Sequence, residues 1–231
     1  MKDLISYHLL EKKRKQLSQL KHLPSELKDY LSAPLVKPNT PIGQIEFLVL
    51  DFETTGLDIK KDRIVSLGYT LIKDLHIVLS ESRHIVVNPK QTMDEKNVTI
   101  HELTDDEVSQ GVKVSRMMQH LLSIMKGRVL VVHFDQIERN FINKCSAQLY
   151  GVDTLPFQLL DTLKIESNKR RKIQNFVDGK SLRLFNLIEQ YNLPRYKAHH
   201  AMQDAISTAE LFLAQVAAMG KNSHSKFKEL L

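Results

Sequence analysis

Two carboxylates stand one residue apart at the end of a short apolar run. Asp51 and Glu53 occur in FLVLDFETTGL, where the residues before Asp51 are typical of a buried strand. Since side chains alternate along a strand, both carboxylates should point to the same face of its end. Carboxylates this close repel each other unless a cation separates them, and hard oxygen ligands favour Mg²⁺ or Mn²⁺. The alternative is a pair of solvated acids.

Two further groups of polar residues follow predicted elements in a similar way. In VLVVHFDQIERNFINKC, His133, Asp135 and Glu138 come after a buried-type strand as a helix begins. In KAHHAMQDAISTAEL, His199 stands five residues before Asp204, where the last helix starts. A lone acid at such a place is usually a helix cap. Because α/β sheets assemble sites at strand ends and helix starts, the three groups together predict a site.

These segments resemble the three motifs of the DEDDh 3′–5′ exonucleases, the superfamily of the proofreading epsilon subunit of bacterial replicative polymerase. DFETTGL is the most specific match, and the resemblance covers residues 45–218. It implies a ribonuclease-H-like α/β fold and stepwise hydrolysis of nucleic acid from a 3′ end, releasing nucleoside 5′-monophosphates. It also implies two Mg²⁺ or Mn²⁺ ions and a single-stranded or 3′-end substrate. DNA is favoured, and an RNA-trimming enzyme is the alternative.

The resemblance also implies roles for the residues at matching positions. Asp51, Glu53 and Asp204 would hold the two metals, with Asp51 bridging them. A two-metal clamp would neutralise charge on the attacked phosphate and on the leaving oxygen. An imidazole titrates near neutral pH, which suits a general base. The family spacing selects His199 for this role over the adjacent His200.

The middle motif departs from the family pattern, which usually has His-Asn and then an aromatic–Asp pair inside the next helix. Counting from His133, with the register checked at Phe141, the position of the metal-binding Asp is filled by Glu138. Asp135 is the alternative, but it falls three residues early, where the loop should turn. If Glu138 is an ordinary surface acid, the chain would be a nucleic-acid-binding domain without catalysis.

The resemblance implies substrate contacts at two other places. Thr54, Thr55, Gly56 and Leu57 form a turn whose backbone would cradle the terminal nucleotide, with Leu57 against its base. Alternatively, Leu57 belongs to the core behind a glycine turn. His101 stands in the family's His-x-x-Thr pattern and would contact substrate, or it is simply a loop histidine.

The elements that must position these residues form a mixed sheet flanked by helices. The first three strands have short connections and should be antiparallel, whereas the later ones are joined through helices and should be parallel. Strands are predicted at 45–50, 64–72, 77–87, 129–132 and 157–160. Helices are predicted from Thr104, with Glu107 as its capping-box partner, and at 117–125, 137–150, 181–192 and 204–219.

Two segments flank or enter this region with a basic character. Residues 1–44 predict a helical extension and a Pro-containing connector before an exonuclease domain at 45–220 and a short tail at 221–231. The extension is rich in Leu, which favours a packed addition or a protein-binding surface over a free tail. Residues 164–197 carry nine basic residues against three acids, and their NKRRK run is predicted to lie in a loop. That loop would follow a phosphate backbone, or it is merely solvated.

Composition excludes several classes of protein. The 231 residues are 42% hydrophobic, which is enough for a core, and the net charge of +6 permits a polyanionic partner. The single cysteine, Cys145, excludes an internal disulfide and argues against a zinc cluster. No apolar run reaches the roughly 18 residues that span a bilayer, and no secretory signal is recognisable. We therefore expect a cytoplasmic protein, and the short stretch after the last helix favours a stand-alone nuclease over a polymerase subunit.

Overall fold

The chain forms a five-stranded mixed sheet with helices packed on both faces. A computed structural model describes residues 2–88, 109–173, 176–197 and 199–231. Within these ranges the sheet order is β3-β2-β1-β4-β5. As predicted, β1–β2 and β2–β3 are antiparallel, and β1–β4 and β4–β5 are parallel. The strands are β1 (Phe47–Thr54), β2 (Ile64–Lys73), β3 (His76–Val86), β4 (Val129–Val132) and β5 (Leu159–Asp161).

Seven α-helices are present in the described ranges. They are α1 (Lys2–Ser18), α2 (Ser25–Ser32), α3 (Val114–Met125), α4 (Gln136–Tyr150), α5 (Thr162–Arg171), α6 (Leu184–Gln190) and α7 (Ala201–Ala218). Short 3₁₀ helices span Ile42–Gln44, Gly179–Leu182 and Phe227–Leu230. Gly151 ends α4 with a φ of 68°, as the sequence predicted. The helix predicted from Thr104 lies outside the described residues, as do Glu107 and His101.

Alternation along β1 decides which residues face α7. Phe47 and Val49 pack on the α7 side of the sheet, where the rings of Phe47 and Phe212 are 5.1 Å apart between centroids. The intervening β1 residues pack on the other side, against α2, α3 and α4. Because the same alternation continues along the strand, Asp51 and Glu53 share the α7 face.

Strand β1 is longer at its carboxyl end than the sequence predicted. It continues to Thr54 because β2 remains paired with it, with Asp51 opposite Gly68 and Glu53 opposite Ser66. The two acids therefore lie within the strand and not after it. The helix predicted at 181–192 was also too long, because its first residues form the 3₁₀ turn before α6.

The prediction of a loop at NKRRK was wrong, because four of its five residues form the end of α5. Asp161 caps this helix by accepting a hydrogen bond from the Leu163 amide at 2.9 Å. Basic residues in the last turn suit the helix dipole. Arg170 also pairs with Glu166 one turn earlier, at 2.9 Å. That i, i+4 pair was the sequence signal for a helix.

The amino-terminal extension and the carboxyl-terminal tail both pack on the sheet domain. Leu27 and Leu31 of α2 are fully buried, and the Tyr30 hydroxyl donates to the Pro156 carbonyl at 2.7 Å. Phe227 of the tail is buried in the core on the α7 side. The division at residue 44 and a protein-binding role for the extension stay predictions. Among the described residues, no helix is long and apolar enough to cross a membrane.

Candidate active site

Three carboxylates from two elements meet at the carboxyl end of β1. Asp51 and Glu53 come from β1, and Asp204 comes from the first turn of α7. One oxygen of each lies within 4.8 Å of the others. Asp204 Oδ1 is buried and has no hydrogen-bond partner among the described residues. An all-oxygen donor set with an unsatisfied oxygen suits a hard divalent cation.

Helix α7 reaches the acids because β2 has a glycine opposite Asp51. A Cβ added to Gly68 would lie 2.0 Å from the Ala201 carbonyl carbon and 2.1 Å from the Met202 amide nitrogen. Any side chain at Gly68 would therefore displace the start of α7 and, with it, Asp204. The sequence reading did not single out Gly68, although an isolated glycine inside a strand pattern indicates close approach of another backbone.

Glu138 is a fourth, buried carboxylate beside β1. Burial raises its pKa to about 8, and the negative charge of Asp161 adds to the rise. Hydrogen bonds from its own backbone and from the Phe52 backbone lower the pKa but do not cancel the effect of burial. Its Oε2 has no hydrogen-bond partner among the described residues. Because Phe52 lies between Asp51 and Glu53, this contact puts Glu138 next to the other three acids.

Neighbouring acids raise the pKa values of Asp51 and Asp204. Burial raises the pKa of Asp51 well above its usual range, and the charges of Glu138, Asp204 and Glu53 raise it further, in that order. Burial and the charge of Glu53 raise the pKa of Asp204 to about 6. A bound cation would remove this repulsion, so the electrostatics favour a metal at the cluster.

Asp135 makes different contacts from Glu138. Its carboxylate accepts hydrogen bonds from Lys164 Nζ at 2.5 Å and from Arg139 Nε at 3.3 Å. Two cations therefore compensate its charge, whereas the charged form of Glu138 is opposed by burial and by neighbouring acids. These contacts favour Glu138 as the fourth carboxylate, and its role stays a prediction.

The two adjacent histidines before α7 have different surroundings. His199 is exposed, has a left-handed φ of 63°, and donates its backbone N–H to Asp204 Oδ2 at 3.1 Å. The His200 ring packs against His84 of β3, with ring centroids 4.4 Å apart. The exposed ring of His199 suits a general base better than the packed ring of His200. His84 carries no sequence signal that singles it out.

The turn after β1 is organised by Asp62, which the sequence reading missed. The hydroxyls of Thr54 and Thr55 donate to the Gly56 carbonyl at 2.8 Å and to Asp62 Oδ1 at 2.9 Å. A Cβ on Gly56 would lie 2.5 Å from the Asp62 carboxylate, so only glycine fits there without a shift. Leu57 is 74% exposed, so the alternative that it belongs to the core was wrong.

His133, in contrast, is partly buried after the last residue of β4. Its Nδ1 lies 2.8 Å from Thr162 Oγ1, and burial lowers its pKa to about 4. It is therefore neutral near pH 7, and its contact with Thr162 favours a structural role.

A family model, RNase_T, described as an exonuclease, matches residues 48–212. This range includes all three acid-bearing segments. The chain belongs to the exonuclease family. The resemblance carried by DFETTGL and the two later motifs is thereby confirmed.

Two curated relatives of this exonuclease-family chain are much longer proteins. The chain is 26% identical over 185 residues to the DNA polymerase III PolC-type protein of Thermotoga petrophila, an alignment that covers 80% of the chain and 13% of the relative. It is 29% identical over 172 residues to the 3′–5′ exonuclease DinG of Staphylococcus haemolyticus, an alignment that covers 74% of this chain and 18% of DinG. The chain therefore spans less than a fifth of either relative.

Solved structures share the fold of this exonuclease-family chain. E. coli exonuclease I in complex with a dT13 oligonucleotide superposes with a TM-score of 0.61 at 16% identity, covering 77% of this chain and 42% of that one. A 3′-exonuclease described as recognising the 3′ end of a histone mRNA stem-loop superposes with a TM-score of 0.58 at 15% identity. The superposition covers 75% of this chain and 82% of that one. The predicted ribonuclease-H-like fold is confirmed.

Proposed function

We propose that this chain is a metal-dependent 3′–5′ exonuclease that hydrolyses nucleic acid to nucleoside 5′-monophosphates. The observation that carries the proposal is the meeting of Asp51, Glu53 and Asp204 within 4.8 Å in a chain of the exonuclease family. Membership of the family supports the reaction class. The geometry supplies the hard oxygen donors that the reaction needs.

Asp51, Glu53, Asp204 and Glu138 would hold two Mg²⁺ or Mn²⁺ ions. The residues fit such ions because all their donors are carboxylate oxygens. In addition, Asp204 and Glu138 each have a buried oxygen that lacks a partner among the described residues. When bound, the ions would supply a hydroxide near neutral pH and would neutralise the charge on the phosphate and the leaving oxygen.

His199 would act as the general base. Its ring would take a proton from water while the water oxygen forms a bond to phosphorus. The bond from phosphorus to the 3′ oxygen of the preceding nucleotide breaks, and that oxygen stays on the shortened strand and takes up a proton. The backbone hydrogen bond to Asp204 holds His199 beside the acid cluster. The terminal nucleotide would lie against the turn at Thr54, Thr55, Gly56 and Leu57.

DNA is the first candidate substrate and RNA is the second. The DFETTGL motif resembles enzymes of DNA, and exonuclease I, a structural neighbour, has been solved with a dT13 oligonucleotide. RNA is favoured by a different structural neighbour, a 3′-exonuclease that recognises the 3′ end of a histone mRNA stem-loop. The experiment below distinguishes the two.

Single-stranded DNA and RNA oligonucleotides, labelled at either end, test the proposal in Mg²⁺, Mn²⁺ or EDTA. The wild type should release the 3′ label at once as a mononucleotide and should shorten a 5′-labelled strand stepwise. Asp51→Asn keeps the side-chain shape and should lower kcat by more than the roughly 100-fold typical of losing an outer-shell partner of a metal. Asp153→Asn changes an exposed acid in the turn after α4 and should leave activity unchanged.

Failure to release mononucleotides with either metal, alongside retained binding of the oligonucleotide, would identify a binding domain without catalysis. Release from the 5′ end would also overturn the proposal. Glu138→Ala and Asp135→Ala decide the middle motif. Loss of activity in Asp135→Ala alone would show that Glu138 does not fill the metal-binding position.

A further inference from the structure

Phe134 has a backbone conformation that a phenylalanine rarely adopts. Its φ is +72°, in the left-handed region that bulky residues avoid. Asp161 enforces this conformation, because its carboxylate accepts hydrogen bonds from the amides of Phe134 at 3.0 Å and Asp135 at 3.1 Å. Strained residues persist only where the surroundings hold them, and they concentrate at functional sites.

The conformation leaves an aromatic ring in solvent. Phe134 is 39% exposed. Six of the nine phenylalanines are 5% exposed or less, whereas Phe176 is 80% exposed; the six are Phe47, Phe52, Phe141, Phe157, Phe212 and Phe227. The left-handed backbone and the exposed ring of Phe134 each lower the stability of the folded chain. Binding of a ligand by the ring would explain why both are present.

The ring belongs to the rim of the acid cluster. Strand β4 runs parallel beside β1 with Val131 opposite Val49, so the loop that contains Phe134 follows β4 at the acid-bearing end of β1. Glu138 lies one helical turn after Phe134 and accepts a hydrogen bond from the Phe52 backbone. A phosphate at the acid cluster would therefore place its adjoining nucleotide near Phe134.

Two cationic side chains pair with Asp135, the residue after Phe134. The neighbouring Asp135 carboxylate holds Lys164 at 2.5 Å and Arg139 at 3.3 Å, and these side chains are 58% and 41% exposed. An exposed ring beside cations is how proteins bind single strands, because bases stack on the ring and cations follow the phosphates. This combination favours an unpaired nucleobase over an apolar protein segment as the occupant.

We propose that Phe134 stacks on an unpaired base close to the 3′ end and so favours single-stranded over duplex ends. This inference rests on the proposed exonuclease function. Because the ring binds the base and takes no part in bond breaking, its loss should raise KM and leave kcat nearly unchanged.

Phe134→Ala and Phe134→Trp test the stacking on a single-stranded oligonucleotide. Loss of one stacking contact should raise KM by roughly 5- to 140-fold in Phe134→Ala, with kcat within about twofold of the wild type. Phe134→Trp should retain the wild-type KM. A substrate whose 3′-terminal nucleotides are abasic keeps the phosphates but has no base to stack. On this substrate the wild type and Phe134→Ala should have the same KM. Leu79→Ala, on the far edge strand β3 and 64% exposed before substitution, is the matched control and should leave KM unchanged.

The melting temperature distinguishes stacking from a structural role. Phe134→Asn introduces a residue that tolerates left-handed φ, so it should raise Tm while raising KM. A structural phenylalanine would instead lose stability on this substitution. Equal KM for the wild type and Phe134→Ala, with normal turnover by both, would refute the stacking and leave the exonuclease function standing.

Absence of turnover by the wild type would count against the proposed function and not against Phe134. Fluorescence anisotropy with a labelled single-stranded oligonucleotide in EDTA then measures the ring's contribution directly. A Kd for Phe134→Ala equal to that of the wild type would overturn the stacking, whereas a rise in the same range as that expected for KM would support it.

Discussion

Replacing Glu138 with glutamine should stabilise the metal-free protein. Glu138 has a pKa of about 8 in the folded chain, against an ordinary value of 4.5. Because the folded state holds the proton more tightly than the unfolded state, this group lowers the free energy of unfolding as pH rises from 4.5 to about 8. Glutamine has nearly the same shape, can accept the hydrogen bond from the Phe52 backbone, and carries no charge at any pH.

The size of the effect follows from the pKa difference. At about pH 7, the pH is about 2.5 units above the pKa of Glu138 in the unfolded chain but still below its pKa in the folded chain. At about 1.36 kcal/mol per pH unit, this difference lowers the free energy of unfolding by roughly 3 kcal/mol. Glu138 and Asp51 interact, so their contributions to stability are not additive. We therefore expect Glu138→Gln to raise the free energy of unfolding by about 1–3 kcal/mol. For a chain of this length each kcal/mol raises Tm by about 2–4 °C, so the rise should be several degrees.

Thermal unfolding followed by circular dichroism in EDTA measures the effect. The wild type and Glu138→Gln should melt at similar temperatures at about pH 4, and the variant should melt higher at about pH 7. Glu189→Gln, an exposed acid at the end of α6, is the control and should show no such pH-dependent gain. Added Mg²⁺ should then raise the Tm of the wild type more than that of Glu138→Gln, because the variant has lost one proposed ligand.

Two results would refute this reasoning. A Tm for Glu138→Gln at or below that of the wild type near pH 7 would show that the carboxylate is not destabilised by burial and its neighbours. An equal Mg²⁺ response in the two proteins would show that Glu138 does not contribute to metal binding.

Three other substitutions test how the site is positioned. Gly68→Ala should lower kcat/KM, and it should lower the free energy of unfolding in denaturant by about 1–3 kcal/mol, because its Cβ meets the α7 backbone. Gly179→Ala places its Cβ in open space and should change neither quantity. Asp62→Ala removes the acceptor that organises the turn after β1 and should raise KM more than it lowers kcat, as steady-state kinetics will show. Tyr30→Phe leaves the Pro156 carbonyl without its donor and should cost about 1–2 kcal/mol with unchanged kcat; an equal loss of kcat would show that α2 reaches the site.

The sequence alone determined the directions of the strands and three acid-bearing segments. Alternation put Asp51 and Glu53 on one face, and their spacing survived although β1 proved longer than predicted. The strand directions followed from connection length, since short loops join antiparallel strands and helices join parallel ones. These features depend on neighbours within a few residues, so they can be recognised in a linear chain.

Only the tertiary structure decided how those segments meet. Gly68 permits the approach of α7 from more than a hundred residues away, and Asp161 holds Phe134 in its strained conformation across two elements. The difference between Glu138 and Asp135 is likewise electrostatic, since one is buried among acids and the other is compensated by cations. Such contacts depend on distance and burial in the folded chain, and no local residue pattern encodes either quantity.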